Sequence, residues 1–170
     1  RKLTDLAGVP AMYQAMLDES RKIGTFGHGF TYSGHPVCCA VALKALEIYE
    51  RDRIVERAAG KAPQFQARLA GLADHAIVGE ARGAGLIGGI EIVADKATKR
   101  QFDPKKGVAA KCVGFAQGEG LIVRSLAGDR IAICPPLVIA PDEIDALFDR
   151  LSRALDRTHD WARGEGLEAA

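Results

Sequence analysis

Two groups of residues have types and spacings that could do chemistry. The first is the run Gly24 to Gly34, GTFGHGFTYSG, which places four glycines among eleven residues and adds the hydroxyls of Thr25, Thr31, Tyr32 and Ser33. Glycine lets the backbone approach a ligand closely, hydroxyls donate hydrogen bonds, and a helix opening at Pro36 adds partial positive charge, which is the chemistry of an oxyanion cradle. Residue types alone leave two readings open, a phosphate cradle or an ordinary turn with a helix cap, and the second is the default for such a run. The loop is not GxxxxGK[ST], and its glycines do not lie between a strand and a helix as a dinucleotide fingerprint requires.

The second group holds histidines and cysteines. His28 and His35 stand seven apart across the loop with no nearby carboxylate pair, which is a poor pattern for metal ligands or a general base, and no metal site is expected. Cys38 and Cys39 fall in an apolar helix, where packing and not thiolate chemistry is their expected role, so both are assigned to the core. With Cys112 and Cys134 they fit neither a CxxC metal pattern nor a secreted disulfide framework, and they are read as reduced cysteines of an intracellular protein.

The elements that must hold these residues follow from periodicity. Ala11 to Lys22 reads as a short helix stopped by Gly24. Pro36 suits a helix start, and Val37 to Ala45 is apolar except at Lys44, so this helix requires cover on nearly all sides. A second helix runs from about Ile54 to Leu72 with Val55, Ala58, Ala59, Phe65 and Leu69 as its stripe, and a bend near Asp52 marks the expected domain boundary. Beyond Asp74 the period changes to that of strands. Ile77 to Arg82 and Leu86 to Val93 form a hairpin about Gly83-Ala84-Gly85, Lys105 to Gln117 a helix, and Leu121 to Ser125 with Arg130 to Cys134 a second hairpin about Ala127-Gly128-Asp129. A last helix opens at Pro141 and Asp142, with Ile144, Leu147, Phe148, Leu151, Ala154 and Leu155 on one face. Arg163 to Ala170 is expected to fray.

The order helix, strand, strand, helix, strand, strand, helix gives an α+β domain with an antiparallel sheet and helices on one face. The expected division is residues 1–52, an edge of another domain or a dimerising surface, and residues 53–170, a self-sufficient domain. The 170 residues carry 23 Lys and Arg against 22 Asp and Glu, a net charge of +1, with 48% hydrophobic residues. That balance disfavours disorder, nucleic acid and anionic membranes as partners, and no apolar run is long enough to span a bilayer. A small-molecule or protein partner is expected. The chain starts at Arg1 without a signal-peptide core, which suggests that something precedes it.

More specifically, Gly27-His28-Gly29-Phe30-Thr31-Tyr32-Ser33-Gly34-His35-Pro36 with the apolar helix behind it resembles a segment of the class III aminotransferases that depend on pyridoxal phosphate, in the ω-amino acid and amine:pyruvate branch. Arg82-Gly83-Ala84-Gly85-Leu86, Gly89-Ile90-Glu91, Gly120-Leu121-Ile122-Val123-Arg124 and Cys134-Pro135-Pro136-Leu137 follow the same family's order through its C-terminal small domain. The resemblance covers nearly the whole chain. It implies the fold-type I (aspartate aminotransferase) architecture, with residues 1–52 a remnant of the large cofactor-binding domain. It also implies a homodimer with active sites at the subunit interface, and amine or amino acid and keto acid as substrates, while the reduced cysteines place the protein in the cytoplasm.

Carried over residue by residue, Thr31 matches the threonine that reaches the cofactor phosphate of the neighbouring subunit, with Phe30 beside it. Arg124 matches the arginine that pairs with a substrate carboxylate and swings out for an amine without one, a task suited to a bidentate guanidinium. Read without the family, Arg124 is a strand arginine in a surface ion pair, and Arg130 is close enough to be a rival. The lysine that carries the cofactor as a Schiff base is expected upstream of residue 1, so no catalytic residue is assigned here. Lys2 in Lys2-Leu3-Thr4 faintly echoes the lysine segment but comes too close to Thr31. Lys44, Lys61, Lys105, Lys106 and Lys111 fall on helices, where solvation or packing is their role. The expectation is a C-terminal fragment of an aminotransferase, inactive alone. The alternatives are a truncated non-catalytic relative acting as a folded or dimerisation domain, or a mutase or decarboxylase of the same fold.

Overall fold

The structure, a computed structural model, describes residues 8–25, 27 and 29–167. Lys2 and His28 lie outside the described residues. The chain divides into two compact units, one through Ala45 and one from Leu46.

In the first unit, helix α1 spans Gly8–Ile23 and ends as Gly24 takes φ +98°, a conformation that costs glycine little. Met12 and Tyr13 are exposed. Helix α2, Pro36–Arg51, starts in this unit, where Pro36 sets its first turn, and continues into the second, but it has no buried residue. Cys38 and Cys39 are therefore exposed, which corrects their assignment to a core. The apolar character of Val37 to Ala45 is a demand for cover, and the described residues do not meet it.

The second unit has its own core. Arg53, at φ 50°, joins α2 to helix α3, Ile54–Gly71. A four-stranded antiparallel sheet follows, with β1 Val78–Ala84, β2 Ile87–Ile92, β3 Arg124–Leu126 and β4 Arg130–Ile133 in the spatial order β1-β2-β4-β3. Helix α4, Val108–Gly118, connects the hairpins, and helix α5, Pro141–Gly164, closes the chain. α3 packs against β1, α4 against β3 and β4, and α5 against α3 and α4, so the helices cover one face of the sheet. Ile90, Ile92, Ile131 and Ile133 point into that layer, alternating with Glu91, Arg130 and Ala132 on the other face, as the period of two requires.

Glycines decide how closely α3 approaches. Gly83 and Gly88 face each other across β1 and β2, and a Cβ on either would stand 2.7 or 2.8 Å from Leu69 Cδ2. The absent side chains make the seat for Leu69 and Phe65, which are essentially fully buried. Each such side chain contributes about 1.5–3 kcal/mol of burial free energy. Val55, placed on the apolar stripe by its spacing, is exposed, and Ile54 is buried in its stead.

The boundaries move in instructive ways. β1 runs through Gly83 and Ala84, and the hairpin turns at Gly85, φ +59°, and Leu86. Leu121 to Val123 is not part of β3, which pairs only from Arg124. Lys105 and Lys106 belong to a separate 3-10 turn, Pro104–Lys106, because Gly107 at φ 59° breaks it from α4. Residues 163–167 do not fray, and residues 168–170 lie outside the described residues. Leu167 N–H donates to Ala162 O at 2.9 Å and Gly166 N–H to Arg163 O at 3.0 Å, a Schellman closure with Gly166 left-handed and Leu167 packed on the core.

Candidate functional site

The loop of the first unit is two overlapping turns. Ser33 N–H donates to Phe30 O at 2.9 Å, and His35 N–H to Tyr32 O at 3.1 Å across Gly34 at φ +72°. Ser33 Oγ accepts from Phe30 N–H at 2.8 Å, so its hydroxyl is used to hold the turn. His35 O accepts the first helical bond, from Cys39 N–H, which makes His35 the cap residue of α2, and its ring stands edge-on to Tyr32 at 5.9 Å. His35 thus has a structural position. Among the described residues, the N–H and hydroxyl of Thr31 have no hydrogen-bond partner. Phe30, 78% exposed, precedes it. One turn thus presents a backbone donor and a hydroxyl donor from one residue, a donor set that suits a phosphate oxygen.

In the second unit, strand register decides which side chains share the open face of the sheet. Arg124 lies opposite Ala132, and Arg82 opposite Gly89, so one cross-strand row reads Arg82, Gly89, Ala132, Arg124. The adjacent row reads Glu80, Glu91, Arg130, Leu126. Gly89 and Ala132 supply the floor of a trough of about 310 Å³. Arg130 Nη2 and Nε donate to Glu91 Oε1 at 2.9 and 3.1 Å. Arg82 lies 3.4 Å from Glu80. Among the described residues the Arg124 guanidinium, also exposed on this face, has no ion-pair partner. Of the two strand arginines, Arg130 is thus ion-paired among the described residues and Arg124 is not.

Lys61 and Lys111 occupy structural places. Lys61 Nζ donates to the carbonyls of Leu137 and Ile139, tying the segment after Pro136 to α3. Lys111 lies over the rings of Phe115 and Trp161. Among the described residues no group of three His, Cys, Asp or Glu side chains is placed to hold a metal ion. No helix among them is long and apolar enough to cross a membrane.

The sequence profile of the family described as aminotransferase class-III matches residues 8–155. The chain belongs to the class III aminotransferase family. Gamma aminobutyrate transaminase 1, mitochondrial, of Solanum lycopersicum is 43% identical over 88% of this chain and 29% of its own length. The putrescine–pyruvate aminotransferase of Pseudomonas aeruginosa is 46% identical over 79% of this chain and 29% of its own. A solved transaminase with L-alanine superimposes with a TM-score of 0.77 at 42% identity, covering 88% of this chain and 35% of that one. A thermostable omega transaminase from Pseudomonas jessenii gives 0.77 at 40% identity, covering 88% and 33%. This class III aminotransferase chain thus spans about 29% of the length of the curated relatives it matches. The fold is that of the transaminases, an α+β arrangement with a small antiparallel sheet and helices.

Within this class III chain the sequence motif holds Phe30 and Thr31 in the first unit and Arg124 in the second. Spacing alone did not find Glu91 as the partner of Arg130. The residues are 39 positions apart, and only the β2–β4 register sets them face to face.

Proposed function

We propose that this chain is the C-terminal part of a pyridoxal phosphate-dependent aminotransferase that moves an amino group from an amine or ω-amino acid to a keto acid such as pyruvate. What supports the reading most is a single arrangement: a family-matched arginine, Arg124, exposed and unpaired among the described residues, on a sheet face where the other two arginines are held by glutamates. Thr31 offers its N–H and hydroxyl to the cofactor phosphate, with Phe30 beside it, and the active protein is a homodimer in which this contact reaches the neighbouring subunit. The cofactor, when bound, supplies the electron sink for the reaction. Arg124 orients a donor or acceptor carboxylate by a bidentate, charge-assisted pair, and turns away from a donor that lacks one. The lysine that carries the cofactor belongs to the part of the protein preceding residue 1, so the 170-residue chain is inactive alone. The four free thiols fit a reducing compartment such as the cytoplasm.

The test is amino transfer to pyruvate by the longer protein, with 4-aminobutyrate and putrescine as donors, in the parent and in Arg124→Met. Transfer is expected, with a loss of kcat/KM in the variant that is about tenfold or more greater for 4-aminobutyrate than for putrescine. Equal losses on both donors would refute the role of Arg124. No transfer by a protein carrying an intact lysine segment would favour a mutase, a decarboxylase or a non-catalytic relative.

A further inference from the structure

Arg124 opens β3, and β3 is only three residues long. Its backbone pairs with β4 opposite Ala132, while Ile122 and Val123 before it make no backbone hydrogen bond among the described residues. The nearest fixed point upstream is the turn that ends α4. Gly120, at φ +75°, lets Leu121 N–H return to Ala116 O at 2.9 Å, and Leu121 is buried. From there the chain crosses to β3 with Ile122 89% exposed, beside a cavity of about 400 Å³ walled by Ile133, Pro136, Ile139, Ala146 and Leu147. Val123 touches the core, but the span has open space along one side, so its course depends on how its two ends are held.

Helix α5 holds the upstream end. Arg150, Arg153 and Arg157, at spacings of 3 and 4, share one face of that helix. Arg150 Nη1 donates to Gly120 O at 2.9 Å. Arg153 Nε donates to Glu119 Oε2 at 2.7 Å, and Arg157 Nη1 to Glu119 Oε1 at 3.3 Å. Two consecutive residues of the turn are thus gripped by arginines at least 30 positions away in sequence. The helix is a firm support, because Ile144, Phe148 and Leu151 anchor it in the core. Arg150 has no carboxylate partner among the described residues, and its bond goes to a backbone carbonyl. A charge-assisted bond to a carbonyl fixes the main chain directly, whereas the pairs with Glu119 act through a flexible side chain.

We propose that Arg150 is a positioning residue for Arg124: by holding Gly120 O it sets where the span begins and so where the Arg124 guanidinium stands to meet a substrate carboxylate. The proposal rests on the reading of Arg124 given above. Without that bond the span relaxes towards the cavity, and the first pair of a three-residue edge strand opens. Arg124 then starts from a less defined place, and the carboxylate is held less tightly because the preorganisation of its partner is lost. Arg150 acts on Arg124 through the main chain, not on substrate.

In the longer holoenzyme the readout is the ratio of kcat/KM for 4-aminobutyrate to that for putrescine. Arg124→Met lowers the ratio about tenfold or more, as above. Arg150→Met lowers it about three- to tenfold, through a raised KM for 4-aminobutyrate at little-changed kcat. Added to Arg124→Met, Arg150→Met changes the ratio by less than about 1.5-fold, because no guanidinium is left to position. Arg150→Lys, whose ammonium can still donate to Gly120 O, keeps the ratio within about twofold of the parent. Should Arg150→Met fold poorly, Glu119→Gln, which loosens the other grip on the turn, lowers the ratio about two- to threefold, and again only when Arg124 is present. Equal losses on both donors, the mark of a merely structural role, overturn the proposal. A ratio that falls as far in the Arg124→Met background as in the parent overturns it too, since Arg150 would then act without Arg124. A ratio unmoved by Arg124→Met removes the reading of Arg124 and this proposal together.

Discussion

Asp129 offers the sharpest test of how the arginine-bearing hairpin is held. The residue ends the Ala127-Gly128-Asp129 turn between β3 and β4, is 8% exposed, and has φ 50°. Its Oδ1 accepts from the buried Ala109 N–H at 2.9 Å, and its own carbonyl accepts from Ile92 N–H at 2.8 Å. Helix α4 has Gly107 at its cap position with no side-chain acceptor, so a carboxylate from twenty residues downstream does the capping. Removing it leaves a buried donor unsatisfied and takes negative charge from a helix N-terminus, a loss of about 1–2 kcal/mol. Alanine adds about 1 kcal/mol more, because a Cβ without a local hydrogen bond disfavours the left-handed region. Asp129→Ala is therefore expected to cost about 2–3 kcal/mol, Asp129→Gly about 1–2, and Asp129→Asn, which keeps an acceptor and tolerates positive φ, less than about 1. Urea unfolding followed by circular dichroism reads these directly. At a slope near 2 kcal/mol/M the alanine midpoint falls by about 1–1.5 M. The order Asn, Gly, Ala carries the argument, and equal losses for Asn and Ala, or a midpoint shift below about 0.3 M for Ala, would refute it.

Two further outcomes are expected. Arg153 and Arg157 hold the Glu119 carboxyl below its ordinary value of 4.5, chiefly through the Arg153 hydrogen bond at 2.7 Å. A depressed folded value stabilises above the unfolded pKa and is lost as pH falls through the folded one. The stability gap between the parent chain and Glu119→Gln should thus be widest at neutral pH and close on acidification through the lowered folded-state value; a gap that grows in acid would contradict this. Burial pushes the Cys112 thiol above its ordinary range, while Cys38, Cys39 and Cys134 are exposed. In the 170-residue chain a thiol reagent at neutral pH should modify the latter three quickly and Cys112 only on unfolding; rapid modification of the peptide holding Cys112 would refute that placement.

Much of the architecture is legible in the residues because short-range rules govern it. The period of α5 matches its buried face, Ile144, Phe148, Leu151 and Leu155, and Glu143 Oε2 accepts from Ala140 N–H at 2.7 Å where the proline-led start predicts a helix opening. Turn chemistry locates both hairpins, although the first turns later than expected because Gly83 serves packing and not the turn. Its partner across the strands is Gly88, and the pair exists to admit Leu69, a requirement set by a helix that lies outside any local window. The misplaced Cys38 and Cys39 have a related cause: apolar periodicity measures the demand for burial and not its supply.

The sequence by itself determined the family, through a contiguous loop motif from Gly27 to Pro36 and the order of shorter motifs after it. It also determined the α+β element order and marked Phe30, Thr31 and Arg124 as candidates. All of these depend on residue type and on neighbours within a few positions. Only the tertiary structure decided which arginine is engaged. Arg124 and Arg130 are both strand arginines of the same chemistry, and what separates them is an antiparallel register that brings Glu91 from 39 residues away to one guanidinium and sets Ala132 opposite the other. The same holds for Asp129, a turn residue by sequence and a helix cap by fold. Ion pairs and caps formed across strands depend on distances that chain spacing does not encode, because they are fixed by the sum of packing contacts that sets the sheet against its helices.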